Sequence, residues 1–218
     1  MEASSIVAGW KQRLTALADT PEYVFRDTPR RLMEQHYQRL TTFEGYAEGE
    51  VADAETRLGL RFPIVFRQYL REMARSPGDL FRGSDLAGIA EFEQFRADAQ
   101  RLLAETDPAL SLPPEAVVFL SHQGYTFVYL LAVGGFDGAP MQWSETEREP
   151  RQVAATFAEM VDAELRLMED NNRRSREKGG YYLTLEPGGG ARATHPALAS
   201  GERPLDRHRA GKRWWQFW

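Results

Sequence analysis

The amino-acid sequence predicts an α+β fold: a mainly antiparallel β-sheet packed with several α-helices and preceded by an N-terminal helical extension. Three observations predict it. Apolar residues recur at helical spacing through about the first hundred positions, residues 116–143 switch to alternation broken by glycine turns, and one long helical stripe follows. With 218 residues and 42% hydrophobic content, the chain can bury one substantial core. A length prior of roughly 100–200 residues per domain favours a single domain, read here as residues 1–185, over two.

The helical extension covers residues 1–47. Ile6, Trp10, Leu14 and Leu17 follow a start at Ser4 or Ser5, and a second helix is expected after Asp27-Thr28-Pro29. There Asp27 or Thr28 can cap, while Pro29 at the first helical position sacrifices no hydrogen bond. Leu32, Met33, His36, Tyr37 and Leu40 keep helical spacing, which puts His36 within or beside a buried face. With no second histidine near it, it reads as a core residue and not a metal ligand.

The run LGLRFPIVFRQYL (58–70) looks at first like one apolar element broken by a proline. Val51, Ala54 and Leu58 recur at i, i+3 and i+7, giving a short helix that Gly59 can close in the left-handed conformation. Leu60, Arg61 and Phe62 connect, and Pro63 opens a second helix. Phe66, Tyr69, Leu70 and Met73 form its buried face, while Arg67, Arg71 and Glu72 are expected to point to water. A central strand would reject the proline.

SPGD (76–79) is a turn, LFRGSDLAGI supplies one or two short strands, and Phe92, Phe95, Ala99, Leu102 and Leu103 mark another amphipathic helix. AVVFLS (116–121), the turn HQG and YTFVYLLAV (125–133) predict a hairpin, followed by the turn GGFDG (134–138) and a strand through PMQWS. Phe127, Tyr129, Leu131 and Val133 alternate with Val128, Leu130 and Ala132; with both faces apolar, this strand is expected to be central and covered on both sides. Val153, Phe157, Met160, Val161, Leu165 and Met168 lie on one stripe of a long helix, and GGYYLTLE (179–186) reads as a last strand. Residues 186–218 are rich in Gly, Pro and Arg, an arm ending in WWQFW.

Charge is unevenly placed. Residues 186–218 carry +3 and the whole chain −5, which leaves −8 on residues 1–185. An acidic body points to cationic partners more than to nucleic acid, although acidic surfaces also serve solubility alone. The absence of cysteine removes disulfides, thiol nucleophiles and thiolate metal sites, and fits a reducing compartment. The start MEASSIVAGWKQRL lacks the basic and apolar regions of a secretory signal, and the longest apolar run falls short of the roughly 20 residues that span a bilayer. A soluble, cytoplasmic protein without a membrane span is expected.

The order of elements, with AETRLGLRFPIVFRQYLREM at its centre, resembles the SUKH superfamily (SMI/KNR-type domains). In that family a short helix bearing a glutamate is followed by Leu-Gly and then by a Leu-Pro or similar pair that starts the next helix. Glu55, Leu58, Gly59, Phe62 and Pro63 match those positions, and Phe66 and Leu70 match the apolar helix face. LPPEAVVFLSHQGYTFVYLL is similar to the family's hairpin and VAATFAEMVDAEL to its closing helix, so the likeness covers about residues 48–168. The resemblance implies an antiparallel sheet packed with helices and a protein that works by binding proteins. Bacterial members resemble immunity proteins that neutralise polymorphic toxins, and fungal members regulate cell-wall synthesis. The matched residues are structural: Gly59 and Pro63 are backbone devices, Phe66 and Leu70 core.

No catalytic constellation emerges. Asp53 and Glu55 diverge on their helix, Glu91 and Glu93 fall at an element boundary, no Ser–His–Asp order is present, and GGGARAT (188–194) lacks the buried parallel strand a phosphate loop follows. His122 reads as a solvent-exposed turn residue. No cofactor is implied, and a cryptic hydrolase ranks behind two binding readings: an immunity protein for a cationic toxin domain, and a regulatory or scaffold module without one. For the first, Trp143 is read as an aromatic anchor rimmed by Glu145, Glu147 and Glu149 of the following loop. Trp214, Trp215, Phe217 and Trp218 are too apolar to leave in water and are expected to dock on the body of the chain or on a second copy in a homodimer, with a partner as the next alternative and a membrane surface as the last.

Overall fold

The computed structural model describes residues 2–19, 30–177, 182–185 and 191–194. Helices α1 (Ala3–Asp19) and α2 (Arg30–Thr41) come first, as their periodicity predicts. In α1 Val7, Trp10, Leu14 and Leu17 are buried, and in α2 His36 and Leu40 are. The caps expected at Asp27, Thr28 and Pro29 lie outside the described residues. Next come α3 (Glu48–Leu58), α4 (Ile64–Glu72), β1 (Asp85–Leu86), α5 (Phe92–Thr106), β2 (Ala116–His122), β3 (Thr126–Leu131), β4 (Met141–Ser144), β5 (Arg151–Gln152), α6 (Phe157–Glu177), β6 (Tyr182–Leu185) and β7 (Ala191–Thr194).

By internal contacts the chain divides into two compact units, one of Met1–Gly9 with Phe43–Asp162 and one of Trp10–Thr42 with Ala163–Trp218. The first holds a five-stranded antiparallel sheet in the order β1-β2-β3-β4-β5. β3 is central, and its alternating side chains feed two cores. Phe127 and Tyr129 join Ala116, Val118 and Trp143 in a cluster closed by Ala99 and Leu103 of α5. In the second core, ring contacts link Phe62, Phe66, Tyr69, Phe92, Phe119 and Phe157, with Phe66 edge-on to Phe157 at 5.2 Å. A register shift between Val118 and Leu120 lets Phe119 reach that core. In the other unit, Arg13 of α1 holds Glu169 of α6 through two hydrogen bonds of 2.7 and 2.9 Å, and β6 pairs with β7 antiparallel.

The apolar run of residues 58–70 is two helices joined by a connector. α3 ends in paired hydrogen bonds, Gly59 N–H to Thr56 O (3.2 Å) and Leu60 N–H to Glu55 O (3.0 Å), which require Gly59 at φ 65°. The connector then docks on the sheet: Arg61 bridges Val133 in parallel, donating to Ala132 O at 3.0 Å and accepting from Gly134 N–H at 2.7 Å. Pro63 stands just before the first turn of α4, where its missing N–H leaves nothing unsatisfied. The next two N–H groups, of Ile64 and Val65, donate to Gly135 O and Phe136 O at 2.9 Å each. The glycine–proline punctuation thus stitches a helix pair to the end of β3.

Four sequence expectations need correction. Arg67 does not simply face water, because it is half-buried and paired with Glu48 and Glu55. Leu131 and Val133 are 40% and 69% exposed, since β3 outruns the cover that buries Phe127 and Tyr129. Val153 precedes α6 instead of belonging to it, its N–H bonded to Pro140 O at 3.0 Å beside the unforeseen strand β5. The helix begins at Phe157 because Asp137 accepts the N–H groups of Phe157 and Ala158, both at 3.1 Å, with Thr156 Oγ1 accepting from Glu159 N–H. Finally, Ala191–Thr194, read as part of the arm, forms β7.

Candidate partner-binding cleft

A cleft in the sheet unit lies between α5 and the strands it covers, with a volume of about 840 Å³. One wall is a single stripe of α5 and its first turn. Glu91, Phe95, Asp98, Leu102 and Glu105 are spaced i, i+4, i+7, i+11 and i+14, so they stack along one helix face. Facing them are Ser84, Asp85 and Leu86 at β1 and Gly124 and Thr126 of the β2–β3 turn, with Val118 and Phe127 as floor. Phe95 and Leu102 are half-buried, whereas Asp85, Glu91, Asp98 and Glu105 are exposed.

Charge in the cleft is one-sided. Four carboxylates line it against one guanidinium, that of Arg101, which bonds Asp98 at 2.7 Å. Gln94 Nε2 also donates to Asp98 at 2.9 Å, and Glu91 accepts from Gly88 N–H at 2.7 Å. Low-dielectric walls focus the field of such a stripe, and the half-buried Phe95 and Leu102 offer apolar contact between the charges. The cleft is thus complementary in charge to cationic groups and offers apolar contact between its carboxylates.

The anchor expected at Trp143 is corrected. Trp143 is fully buried and stacked on Phe127 at 5.5 Å, because both faces of β4 are covered and its indole falls on the α5 side. Its loop neighbours are not its rim. Glu145 and Glu149 are exposed, while Glu147 is held by Arg151 at 2.5 Å. His122 is likewise not a solvent-exposed turn residue: it ends β2, is 8% exposed, and its Nδ1 lies 3.0 Å from Ser84 Oγ. His36 is buried, as its helical spacing implied. The aromatic residues Trp214, Trp215, Phe217 and Trp218 lie outside the described residues.

The motif residues form a structural node. Glu55 bonds Phe62 N–H at 2.8 Å and Arg67 Nε at 3.2 Å, and Arg67 also bonds Glu48. That hydrogen bond, opposed by a smaller burial penalty and reinforced by the charges of Arg67 and Arg71, holds the Glu48 carboxyl below the ordinary carboxylate range. Arg71 reaches Glu48 at 2.8 Å, and the Arg75 guanidinium lies 4.3 Å from the centre of the Tyr46 ring.

A second exposed surface gathers at the stitched end of β3. Ile64 (52% exposed), Val133 (69%) and Phe136 (48%) are brought together by the hydrogen bonds between the α4 start and the β3–β4 loop. Among the described residues no group of three or more His, Cys, Asp or Glu is arranged to hold a metal ion, and no helix is long and apolar enough to cross a membrane.

The carboxylate stripe was missed in the sequence, although its signal was there: acids seven residues apart at 91, 98 and 105, interleaved with Phe95 and Leu102. Residues 45–163, more than half of the chain, match the model of the SMI1 / KNR4 family (SUKH-1). No curated protein matches the chain.

Proposed function

The chain belongs to the SMI1 / KNR4 family (SUKH-1), and from that premise we propose that it is a non-enzymatic binding module whose cleft on α5 receives a cationic protein, acting as an immunity protein that neutralises a toxin. The observation that carries the reading is the stripe of Glu91, Asp98 and Glu105 facing Asp85 across a cleft of about 840 Å³. A toxin that cleaves or modifies nucleic acid needs a basic substrate surface, and an acid-lined cleft is its electrostatic complement. Such pairs associate fast at low salt and lose that advantage as salt rises.

The test is a pull-down and a toxicity assay with the toxin domain encoded beside this gene. Salt-sensitive binding together with protection of cells supports the reading. Neither binding at low salt nor protection would sink it.

A second reading, a regulatory or scaffold module without a toxin partner, draws on the apolar surface of Ile64, Val133 and Phe136, since contiguous exposed apolar residues mark protein contacts. It expects salt-insensitive partners, lost on Val133→Asp and retained on Glu105→Lys.

A further inference from the structure

We propose that the outer edge of β1 is where the outside partner is gripped: an extended segment of that protein, basic at alternate positions, adds to the sheet there as a further antiparallel strand and carries its cations over the cleft on α5. The inference rests on the cationic-partner reading above and adds to it the mode of binding.

The edge is open and preformed. β1 ends the sheet, and among the described residues no strand pairs with its outer side. Its register sets Asp85 opposite Ser121 and Leu86 opposite Leu120, and Ala87 N–H donates to Phe119 O at 2.9 Å. In an antiparallel ladder, residues that exchange bonds with the neighbouring strand alternate with residues that do not. Asp85 and Ala87 therefore turn their backbone groups towards β2, and Leu86 turns its N–H and C=O outwards. The adjoining groups are already used. Ser84 N–H donates to Phe81 O at 2.9 Å, and Gly88 donates to the Glu91 carboxylate at 2.7 Å while its oxygen takes Glu91 N–H at 2.9 Å. Leu86 is left as one outward donor and acceptor, on a segment pinned to β2 by Ser84 Oγ, 3.0 Å from His122 Nδ1. An edge of this kind is a template for an incoming strand.

The register also dictates the sequence of the ligand. Across the sheet Asp85 lines up with Ser121, Phe127 and Trp143, which puts its side chain on the face that α5 covers. Leu86 lines up with Leu120 and Val128 on the opposite face. Side chains of an added strand alternate in the same way. The residue opposite Leu86 exchanges both main-chain bonds with it and is apolar. The residue opposite Asp85 stands in the closer, non-bonded kind of pair and is basic. A second basic residue two positions on comes to the α5 face beside Gly88, where the exposed Glu91 stands. Asp85 meets no cation among the described residues, and the Arg101 guanidinium of the cleft is already on Asp98. Two main-chain bonds are few, so the charges supply much of the affinity and a neutral strand binds far more weakly.

The experiment uses the full chain, isotope-labelled for amide resonances, with acetyl-KVKVKVK-amide as the probe. Saturable, salt-sensitive binding is expected, with hydrogen exchange of the Leu86 amide slowed by about tenfold or more at saturation. Methylating the valine nitrogens removes the donors that meet Leu86 O and should weaken binding by about tenfold or more. Methylating as many lysine nitrogens, which point away from β1, should not. Asp85→Lys, at an exposed position, should weaken the parent peptide by about tenfold, with circular dichroism checking that the fold survives. Leu86 exchange unchanged at saturation, or equal losses from the two methylations, would overturn the proposal and leave the cleft to cations bound in another way. The block peptide acetyl-KKKKVVV-amide separates that failure from failure of the reading beneath it. If it binds as tightly as the alternating peptide and shifts the α5 amides, the cleft takes cations without a strand and only this inference falls; if neither peptide shifts α5 or β1 at low salt, the cationic-partner reading falls with it.

Discussion

Glu55 Oε1 accepts the backbone N–H of Phe62 at 2.8 Å, across the connector that joins α3 to α4. Its other oxygen takes Arg67 Nε at 3.2 Å, and the residue is only 5% exposed. One buried carboxylate therefore satisfies a backbone donor and neutralises a half-buried guanidinium, while fixing the angle between two helices. That is why a glutamate stands four residues before Gly59 in this chain, and why the position serves the fold.

Glu55→Ala strips both partners at once. Leaving a buried donor and a half-buried charge without that acceptor should cost about 2–3 kcal/mol. Glu55→Gln keeps an oxygen for Phe62 N–H and should cost about 1 kcal/mol. Urea unfolding at neutral pH reads the difference; equal losses for the two variants would mean that the charge pair, not the backbone bond, matters.

Two glycines separate conformational from steric need. Gly59 has φ 65° but nothing within 4 Å of an added Cβ, so Gly59→Ala pays only for the left-handed backbone, about 1–2 kcal/mol. At Gly45 a Cβ would sit 2.0 Å from the carbonyl oxygen of Arg71 and 2.4 Å from Glu72 N, backbone atoms that cannot swing aside. The loop is also tied there by Tyr46 N–H to Leu70 O and Arg75 N–H to Glu44 O, both 2.9 Å. Gly45→Ala should cost roughly 3 kcal/mol or more and lower the melting midpoint further than Gly59→Ala. The reverse order would refute the close approach.

What was legible in the sequence was what local chemistry decides. Gly59 and Pro63 announce a helix end and a helix start by their own backbones, and the apolar alternation of β3 announces a strand with two covered faces. The start of α6 was not legible, because its capping carboxylate, Asp137, stands 20 residues before Phe157. Trp143 misled for a related reason. Nothing in MQWS says that both faces of this short strand are covered, with the indole stacked on Phe127 in the cluster that α5 closes. The carboxylate stripe of α5 was written in the sequence, yet its opposite wall comes from Asp85 and the β2–β3 turn, so the cleft exists only once the sheet is built.

Among the titrations that shape the pH profile of stability, those of Tyr69 and Glu48 act at opposite ends, with the buried Tyr129 phenol raised in the same direction as Tyr69. Burial, helped by the nearby Tyr46, raises the Tyr69 phenol well above its ordinary value near 10. Its folded pKa lies above its unfolded one, so its contribution is fully present below about pH 10 and is lost as pH rises from there. Glu48 runs the other way. Its folded pKa is depressed, so its contribution is present above the ordinary carboxylate range and is lost as pH falls through the folded value. Unfolding midpoints between about pH 3 and 11 should therefore fall at both ends. Tyr69→Phe should flatten the alkaline limb alone and Glu48→Gln the acid limb alone; a Tyr69→Phe profile that keeps its alkaline fall would assign that limb elsewhere.

If the partner is cationic, as proposed, the acidic loop after β4 and the cleft on α5 are two candidate surfaces for it, and charge reversal tells them apart. Glu145 and Glu149 are exposed but have no aromatic centre in Trp143, which is buried in the cluster on the α5 side. Asp98 and Glu105 flank Leu102, and Asp98 also lies one turn from Phe95, so their charges border apolar contact area where a partner can exclude water. A charge that a partner desolvates beside such a centre affects residence as well as encounter, whereas an exposed loop charge affects encounter. Asp98→Lys/Glu105→Lys should slow association and speed dissociation of a cationic partner, for a loss of about a hundredfold in affinity, and should leave the thermal midpoint nearly unchanged. Glu145→Lys/Glu149→Lys should lower the association rate by a few-fold, with dissociation unaltered. Stopped-flow kinetics at two salt concentrations measure both. If the loop pair governs dissociation and the α5 pair does not, the partner surface lies on the loop after all.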